Sequence, residues 1–400
     1  MKNNFNFIDL FAGCGGLSEG FYQENFEALM HIEMDRTACE TLKERMRYYN
    51  YTTEKIEKSI ICDDITKDTI LEQMDKIIDQ EVDVIIGGPP CQAFSTVGRA
   101  QDPNSMQDDP RNYLFENYLM ILNFYKPKFF VFENVKGLLT AQPHGVKIFN
   151  KIIFEMRKLY DVCDDRGTIL LDAANYGVPQ HRERVILIGV RKDIGITSKE
   201  VYERLKITHG NDASLIPFVT VRDAIGDLPF LYPGEGENII EFTPNIVNDF
   251  LKKIRNPDFK YLYNHVARKH NEKDRCRYSL LSKNNWKLKD LALYRPDLIH
   301  HDPKHFGNRY TVQEYDKPGT TIVAHLYKDG NLFIHPDYMQ ERTFTPREAA
   351  RIQSFPDDFM FAGSRTNQYK QIGNAVPPLM SRVLAKLIKN ILNEIEEKNI

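Results

Sequence analysis

Asn6-Phe7-Ile8-Asp9-Leu10-Phe11-Ala12-Gly13-Cys14-Gly15-Gly16-Leu17 reads as an apolar strand that passes through a glycine-rich turn straight into a helix reaching Phe21. The same switch from strand to helical period recurs along the chain. Ala28–Ile32 is a second strand with a helix near Thr37–Tyr49, and Ser59–Cys62 and Val82–Ile86 are strands each followed by a helix. Lys128–Phe132 precedes a helix near Gly145–Lys158, and Val185–Val190 is a late strand. Repeated βα units predict an α/β fold with a doubly wound, mostly parallel sheet, whose ligands bind outside the carboxyl ends of the strands. Beyond about residue 230 the pattern fades into Pro-, Gly- and Asn-rich sequence, then returns at Thr345-Pro346-Arg347-Glu348, a helix start with Thr as cap and Pro at its first position. One domain is therefore expected from 1–229 and 346–400, interrupted by a smaller irregular one at 230–345, with the last helix near Pro378–Ile395 packing back on the first.

Four hundred residues with 42% hydrophobic content can bury a sizeable core. No run of about 18 apolar residues predicts a membrane span. The first residues lead into a strand with no apolar signal segment ahead of it, so a cytoplasmic protein is expected. Six cysteines (14, 39, 62, 91, 163 and 276) lack CxxC pairs or tight spacing, which predicts reduced thiols and no metal centre. The net charge of −3 hides an uneven distribution: residues 251–310 hold 15 Lys/Arg against 6 Asp/Glu. Tyr261, Tyr263, Tyr278, Trp286 and Tyr294 are interleaved with them, a composition suited to phosphate contacts and base stacking, although a solvated loop region would look similar.

Two strand ends carry chemistry. After the first strand, Gly13, Gly15 and Gly16 let a ligand approach the backbone, and Glu33, twenty residues on, fits a ribose-binding carboxylate. A tight structural turn or a nicotinamide site would share that pattern. Asp9, Phe11, Glu33 and Asp64 make acidic, aromatic surroundings that favour a sulfonium nucleoside over a pyrophosphate. After Val82–Ile86 comes Gly87-Gly88-Pro89-Pro90-Cys91-Gln92-Ala93-Phe94-Ser95, which holds a thiol on a stiff turn at a strand's carboxyl end, placed to attack an electrophile.

Six segments in this order, DLFAGCGGL (9–17), GGPPCQAFS (87–95), FENV (132–135), QHRERV (180–185), TVRDAIGDLP (220–229) and QIGNAVPP (371–378), resemble the DNA (cytosine-5)-methyltransferase family of the bacterial and phage restriction-modification type. The resemblance implies an S-adenosylmethionine-dependent enzyme acting on a flipped-out cytosine in duplex DNA, with a target-recognition domain at 230–345. It implies Cys91 as nucleophile at cytosine carbon 6 and Glu133 as the acid at ring nitrogen 3, its carboxyl poised by desolvation. Arg182 would hold the base and Arg184 orient a carboxylate or phosphate, while Asn134 steadies the cysteine loop. His181 departs from the Arg or Lys common at that position. For the cofactor, Asp9, Phe11, Gly13, Gly15, Gly16, Glu33, Asp64, Ile65 and Pro89 are implied, closed by Asn374 and Val376. For DNA, Gln92, Ser95, Arg99, Arg111 and Thr321 are implied, with Thr320 an equal match for the last. The polar segment from Ser95 to Leu114 is expected to close over the substrate.

The reading implies a monomer whose functional counterpart is a cognate restriction endonuclease. An RNA cytosine-5 methyltransferase would keep the Pro-Pro-Cys and Glu-Asn-Val segments. A DNA-binding regulator on the same fold should lack one of Cys91, Glu133 or Arg182, and all three are present.

Overall fold

The computed structural model describes residues 4–90, 110–243, 248–299 and 309–398. They fall into two compact units: Met1–Tyr176 with Arg182–Thr208 and Pro378–Ile400, and Gly177–His181 with His209–Pro377.

In the first unit β1 (Asn6–Leu10), β2 (Glu27–Glu33), β3 (Ile60–Cys62), β4 (Val84–Gly87), β5 (Phe129–Val135), β6 (Tyr160–Val162), β7 (Leu170–Asp172) and β8 (Glu183–Arg191) form one eight-stranded sheet. The order is β3-β2-β1-β4-β5-β8, with β6 and β7 both on the outer edge of β8. From β3 to β5 every pairing is parallel. β8 runs antiparallel to β5, β6 and β7. The sheet is thus mostly parallel, as βα alternation predicts, and β8 runs against its neighbours, joined to β7 by residues 173–182 with no α-helical crossover between them. Val84, Ile85, Ile86 and Phe129 through Phe132 are fully buried, as expected where near-continuous apolar strands are covered on both faces. Helix Pro378–Lys398 closes this unit: the Ser381 hydroxyl donates to the Leu17 carbonyl, and Arg382 pairs with Glu24 at 2.7 Å.

The second unit has less regular structure. It contains an antiparallel pair, β9 (Gly236–Glu241) and β10 (Tyr261–Val266), and a cluster of Tyr278, Leu281, Leu288, Leu291, Leu298, Tyr310 and Ile334. Helix Pro346–Ile352 starts as the sequence predicts, with Thr345 and Glu348 forming a reciprocal capping box. Its charged residues face inward: Arg342 grips Glu348 with two bonds of 2.7 Å, and Arg351 grips Asp357 with two of 2.8 Å. The Arg351 guanidinium also reaches the Ala224 carbonyl at 3.0 Å, tying this helix to Val221–Ile225. The second unit, Gly177–His181 with His209–Pro377, spans the positions 229/230 and 345/346.

Candidate active site

β1 lies between β2 and β4, so the strand order reverses there, and Leu10 sits opposite Gly87 at the carboxyl ends. An α/β sheet opens a ligand crevice at such a point. The glycine turn after β1 and the Gly-Gly-Pro-Pro turn after β4 are neighbours for that reason. Cys91, Gln92, Ser95 and Arg99, with most of the expected closing segment, lie outside the described residues. What precedes the cysteine is well fixed. Buried Asn134 donates from Nδ2 to the Pro89 carbonyl at 3.2 Å, and its Oδ1 accepts from the Val135 amide at 2.8 Å. Pro89 itself is buried, so its place is under the turn.

Glu133 belongs to β5, two residues before its end. Its Oε1 pairs with Nε of Arg184 at 2.9 Å, both side chains being largely buried at 14% and 13% exposure. Gly88 leaves room for the carboxylate: a Cβ there would stand 2.7 Å from Glu133 Oε2. Side chains alternate along this extended stretch, with Glu183 exposed and paired with Lys136 at 2.9 Å while Arg182 and Arg184 turn inward. Arg182 is 1% exposed, and its backbone amide is held by Asp172 Oδ1 at 2.9 Å. Burial lowers the Arg182 guanidinium well below its ordinary pKa, neighbouring Arg184 adds to this, and Glu133 opposes it. Such a group gains most from an added acceptor, such as a carbonyl oxygen. Arg184 is likewise lowered by burial, against the pull of Glu133.

At the neighbouring turn Gly13 and Gly15 adopt left-handed φ of +55° and +87°, and Gly15 caps helix Gly16–Gln23. Open space lies where Gly13 would carry a Cβ, and its amide donates to Glu33 Oε2 at 2.8 Å. Burial pushes the Glu33 carboxyl up, opposed by the amides of Asp35 and Gly13. Phe11 is held at a φ of +60° and is partly exposed. Asp9 sits deeper than a direct ligand contact requires: it is 1% exposed and accepts from the Ser18 hydroxyl at 2.5 Å. Burial first, and Glu33 to a lesser degree, push its pKa up to about 8, with the Ser18 bond acting the other way. Asp64 Oδ1 accepts from the amide and hydroxyl of Thr66, both at 2.9 Å, and Ile65 is 5% exposed. An open glycine backbone beside Glu33, with further carboxylates at neighbouring strand ends, fits S-adenosylmethionine, whose ribose needs acceptors and whose sulfonium tolerates acidic surroundings. Burial drives the Cys14 thiol up, so the cysteine within this turn is not an activated one.

The remaining expected residues lie elsewhere. Arg111 is partly exposed in the turn Pro110–Tyr113. In the second unit Asn374 is exposed at the end of helix Arg365–Asn374, and Val376 is buried. Thr321 donates to the His181 carbonyl at 2.6 Å, whereas Thr320 bonds Gln313. The His181 ring meets Phe218 edge-on at 5.4 Å. The basic stretch needs correction, since Tyr278 belongs to the core and bonds Asn331 at 2.6 Å, so it cannot stack on a base. Trp286 stacks on exposed Tyr294 with ring centres 4.9 Å apart, and Tyr261 is exposed as well. Among the described residues no cluster of His, Cys, Asp or Glu could hold a metal ion, and no helix is long and apolar enough to cross a membrane. Sequence reading missed Gly88, recognisable only from its contact with Glu133, and the buried amides of Gln180 and Gln353.

A family model described as C-5 cytosine-specific DNA methylase matches residues 5–390. The type II methyltransferase M.Bpa9945I of Bacillus paralicheniformis is 36% identical over 96% of this chain and 99% of its own length. M.DdeI of Desulfomicrobium norvegicum, also a type II methyltransferase, is 36% identical over 99% of this chain and 92% of its own. A crystal structure described as a putative DNA modification methyltransferase encoded within a prophage (E. coli) superposes with a TM-score of 0.71 at 26% identity, covering 98% of this chain and 100% of that one. The S. pombe Dnmt2 methyltransferase shares the fold, with a TM-score of 0.55 at 16% identity, covering 97% and 99% of the two chains.

Proposed function

The chain belongs to the C-5 cytosine-specific DNA methylase family, as a type II DNA (cytosine-5-)-methyltransferase, and on that premise we propose how its own residues carry the reaction. Carbon 5 of cytosine is a poor nucleophile, and the ring must first gain electrons. The Cys91 thiolate adds to carbon 6 while Glu133 places a proton on ring nitrogen 3, leaving an electron pair available at carbon 5. S-adenosylmethionine supplies an electrophilic methyl group, and Glu33, the Gly13 backbone, Asp64, Asn374 and Val376 are the residues that would hold it. Once carbon 5 is methylated, the nitrogen-3 proton returns to Glu133, the carbon-5 proton leaves to a base and the carbon–sulfur bond breaks, which restores the ring and frees Cys91. Arg182 holds the carbonyl oxygen of the base, and Arg184 keeps the Glu133 carboxylate aimed. The target cytosine leaves the duplex to reach these groups.

The observation that carries this reading is the convergence at the ends of β4 and β5. There Asn134 fastens the turn that leads to Cys91, and Arg184 fixes Glu133 at 2.9 Å. Residues 230–345 read the flanking bases in this account. The enzyme works as a cytoplasmic monomer that protects DNA from a cognate restriction endonuclease. Bisulfite sequencing of plasmid from cells making the chain, beside a Cys91→Ala control, tests it. Methylated cytosine at one short site in the first sample alone is expected, and its absence with folded protein overturns the proposal. A duplex with fluorine at carbon 5 of the target should also trap an adduct that mass spectrometry places on Cys91.

A further inference from the structure

Two buried glutamines of the second unit form a hydrogen-bonded chain with one possible direction. The Ile322 amide donates to Gln180 Oε1 at 2.9 Å. Gln180 Nε2 donates to Gln353 Oε1 at 2.6 Å and to the Ile352 carbonyl at 2.9 Å. Gln353 Nε2 donates onward to the carbonyls of Ile372 at 2.7 Å and Ala375 at 3.3 Å. Both side chains are fully buried. A backbone N–H opens the chain and backbone carbonyls end it, so neither amide can flip without placing donor against donor. Each NH2 group spends both hydrogens, so no donor is left over. The bridge Gln180↔Gly319 and the Thr321 bond to the His181 carbonyl, 2.6 Å, lock the upstream end.

We propose that Gln180 and Gln353 are positioning residues that couple the segment Ile372–Val376 to the segment Gly319–Ile322, so that cofactor binding orders the segment that carries Thr321. The inference rests on the assignment of Asn374 and Val376 to the cofactor and of Thr321 to DNA. A shift of the 372–375 carbonyls must move Gln353, then Gln180, then the Ile322 amide, because buried polar groups cannot lose these partners cheaply.

Hydrogen exchange on the full chain, with S-adenosylmethionine and no DNA, tests the coupling. Slower exchange is expected both in peptides covering 372–376 and at the Ile322 amide. Protection confined to 372–376 overturns the relay, whereas bound cofactor with neither segment protected overturns the cofactor assignment and the relay together. A second measurement is calorimetric cofactor affinity of Gln180→Met, which touches nothing in 372–376. It should bind the cofactor about 3- to 30-fold more weakly, the range such networks transmit. Tyr278→Phe, which removes a buried hydrogen bond to Asn331 in the same unit and outside both segments, should leave that affinity unchanged. Equal effects of the two variants would mean simple loss of packing and overturn the proposal.

Discussion

Gly88→Ala should separate catalysis from stability. The added Cβ would stand 2.7 Å from Glu133 Oε2, with the Glu133 carbonyl at 3.5 Å and its Cβ at 3.7 Å. A relaxed carbon–oxygen contact is about 3.3 Å, so the carboxylate oxygen must retreat by roughly 0.6 Å. The backbone offers little give, because a Cβ on the preceding Gly87 would already lie 2.4 Å from the Leu10 carbonyl. The carboxylate is the far end of a flexible side chain and will move, at the expense of its 2.9 Å contact with Arg184. A misplacement of this order at a reacting group costs about 10- to 100-fold in kcat, equivalent to about 1.4–2.7 kcal/mol in the barrier. The fold should lose less than about 1 kcal/mol, moving Tm by no more than about 3 °C. Initial rates of radiolabelled methyl transfer to plasmid DNA, with both KM values and a melting curve, give the comparison. Wild-type kcat with unchanged Tm would refute the steric argument, and a kcat loss matched by unfolding would show that Gly88 serves packing instead.

Arg184→Met keeps the stem and removes the guanidinium, which strands a largely buried carboxylate at a cost of about 3 kcal/mol and lowers kcat by about 100-fold or more; adding Glu133→Gln should recover the melting temperature and not the activity, and recovery of both would refute the pairing role. Asn134→Ala gives up the bonds to the Pro89 carbonyl and from the Val135 amide, together worth about 2 kcal/mol, and should slow adduct formation with the fluorinated duplex while calorimetric cofactor affinity holds. Asp9 has a folded pKa of about 8, raised from 3.8 by burial. Its stabilising contribution is complete below the unfolded value and lost as pH climbs through 8. Asp9→Asn should therefore match wild type in melting temperature near pH 4 and exceed it increasingly toward pH 8.5, and a constant offset across that range would refute the assignment.

The alternation of strands and helices was legible because burial imposes different periods on the two, and the glycine turn because only glycine takes φ near +87° at Gly15 without strain. The direction of β8 was not, since alternation records faces and not strand polarity. Nor does any period announce that Arg342, Arg347 and Arg351 will be buried. Each is tolerated only because a partner distant in sequence or in the next turn satisfies it: Glu348 for Arg342, the carbonyls of Tyr263 and Pro356 for Arg347, and Asp227 with Asp357 for Arg351. Those pairings hold together a part of the second unit in which the sequence shows no regular period.

The site divides along similar lines. The stiff turn pointed to Cys91, and the family resemblance implied Glu133, Arg182 and Arg184, because each motif is local in the sequence. What orients them is not local: Asn134 acts on Pro89 and Arg184 on Glu133, each from the neighbouring strand or turn. Composition misled most over the basic stretch, where it counts charges without their partners. Arg255 is bound to Asp227 and Asp357, Arg268 to the carbonyls of Leu326, Tyr327 and Lys328, Arg277 to Asp274, and Arg295 to Asp297. Lys287 and Lys289 are exposed close to Trp286 in the chain, and exposed Lys283 lies 5.5 Å from the Tyr338 ring centre. Charge available to phosphates in this region is therefore better supplied by lysines than by these arginines. Lysines make point-charge contacts with little geometric preference, so they would contribute salt-dependent affinity, and any reading of base identity must come from other side chains.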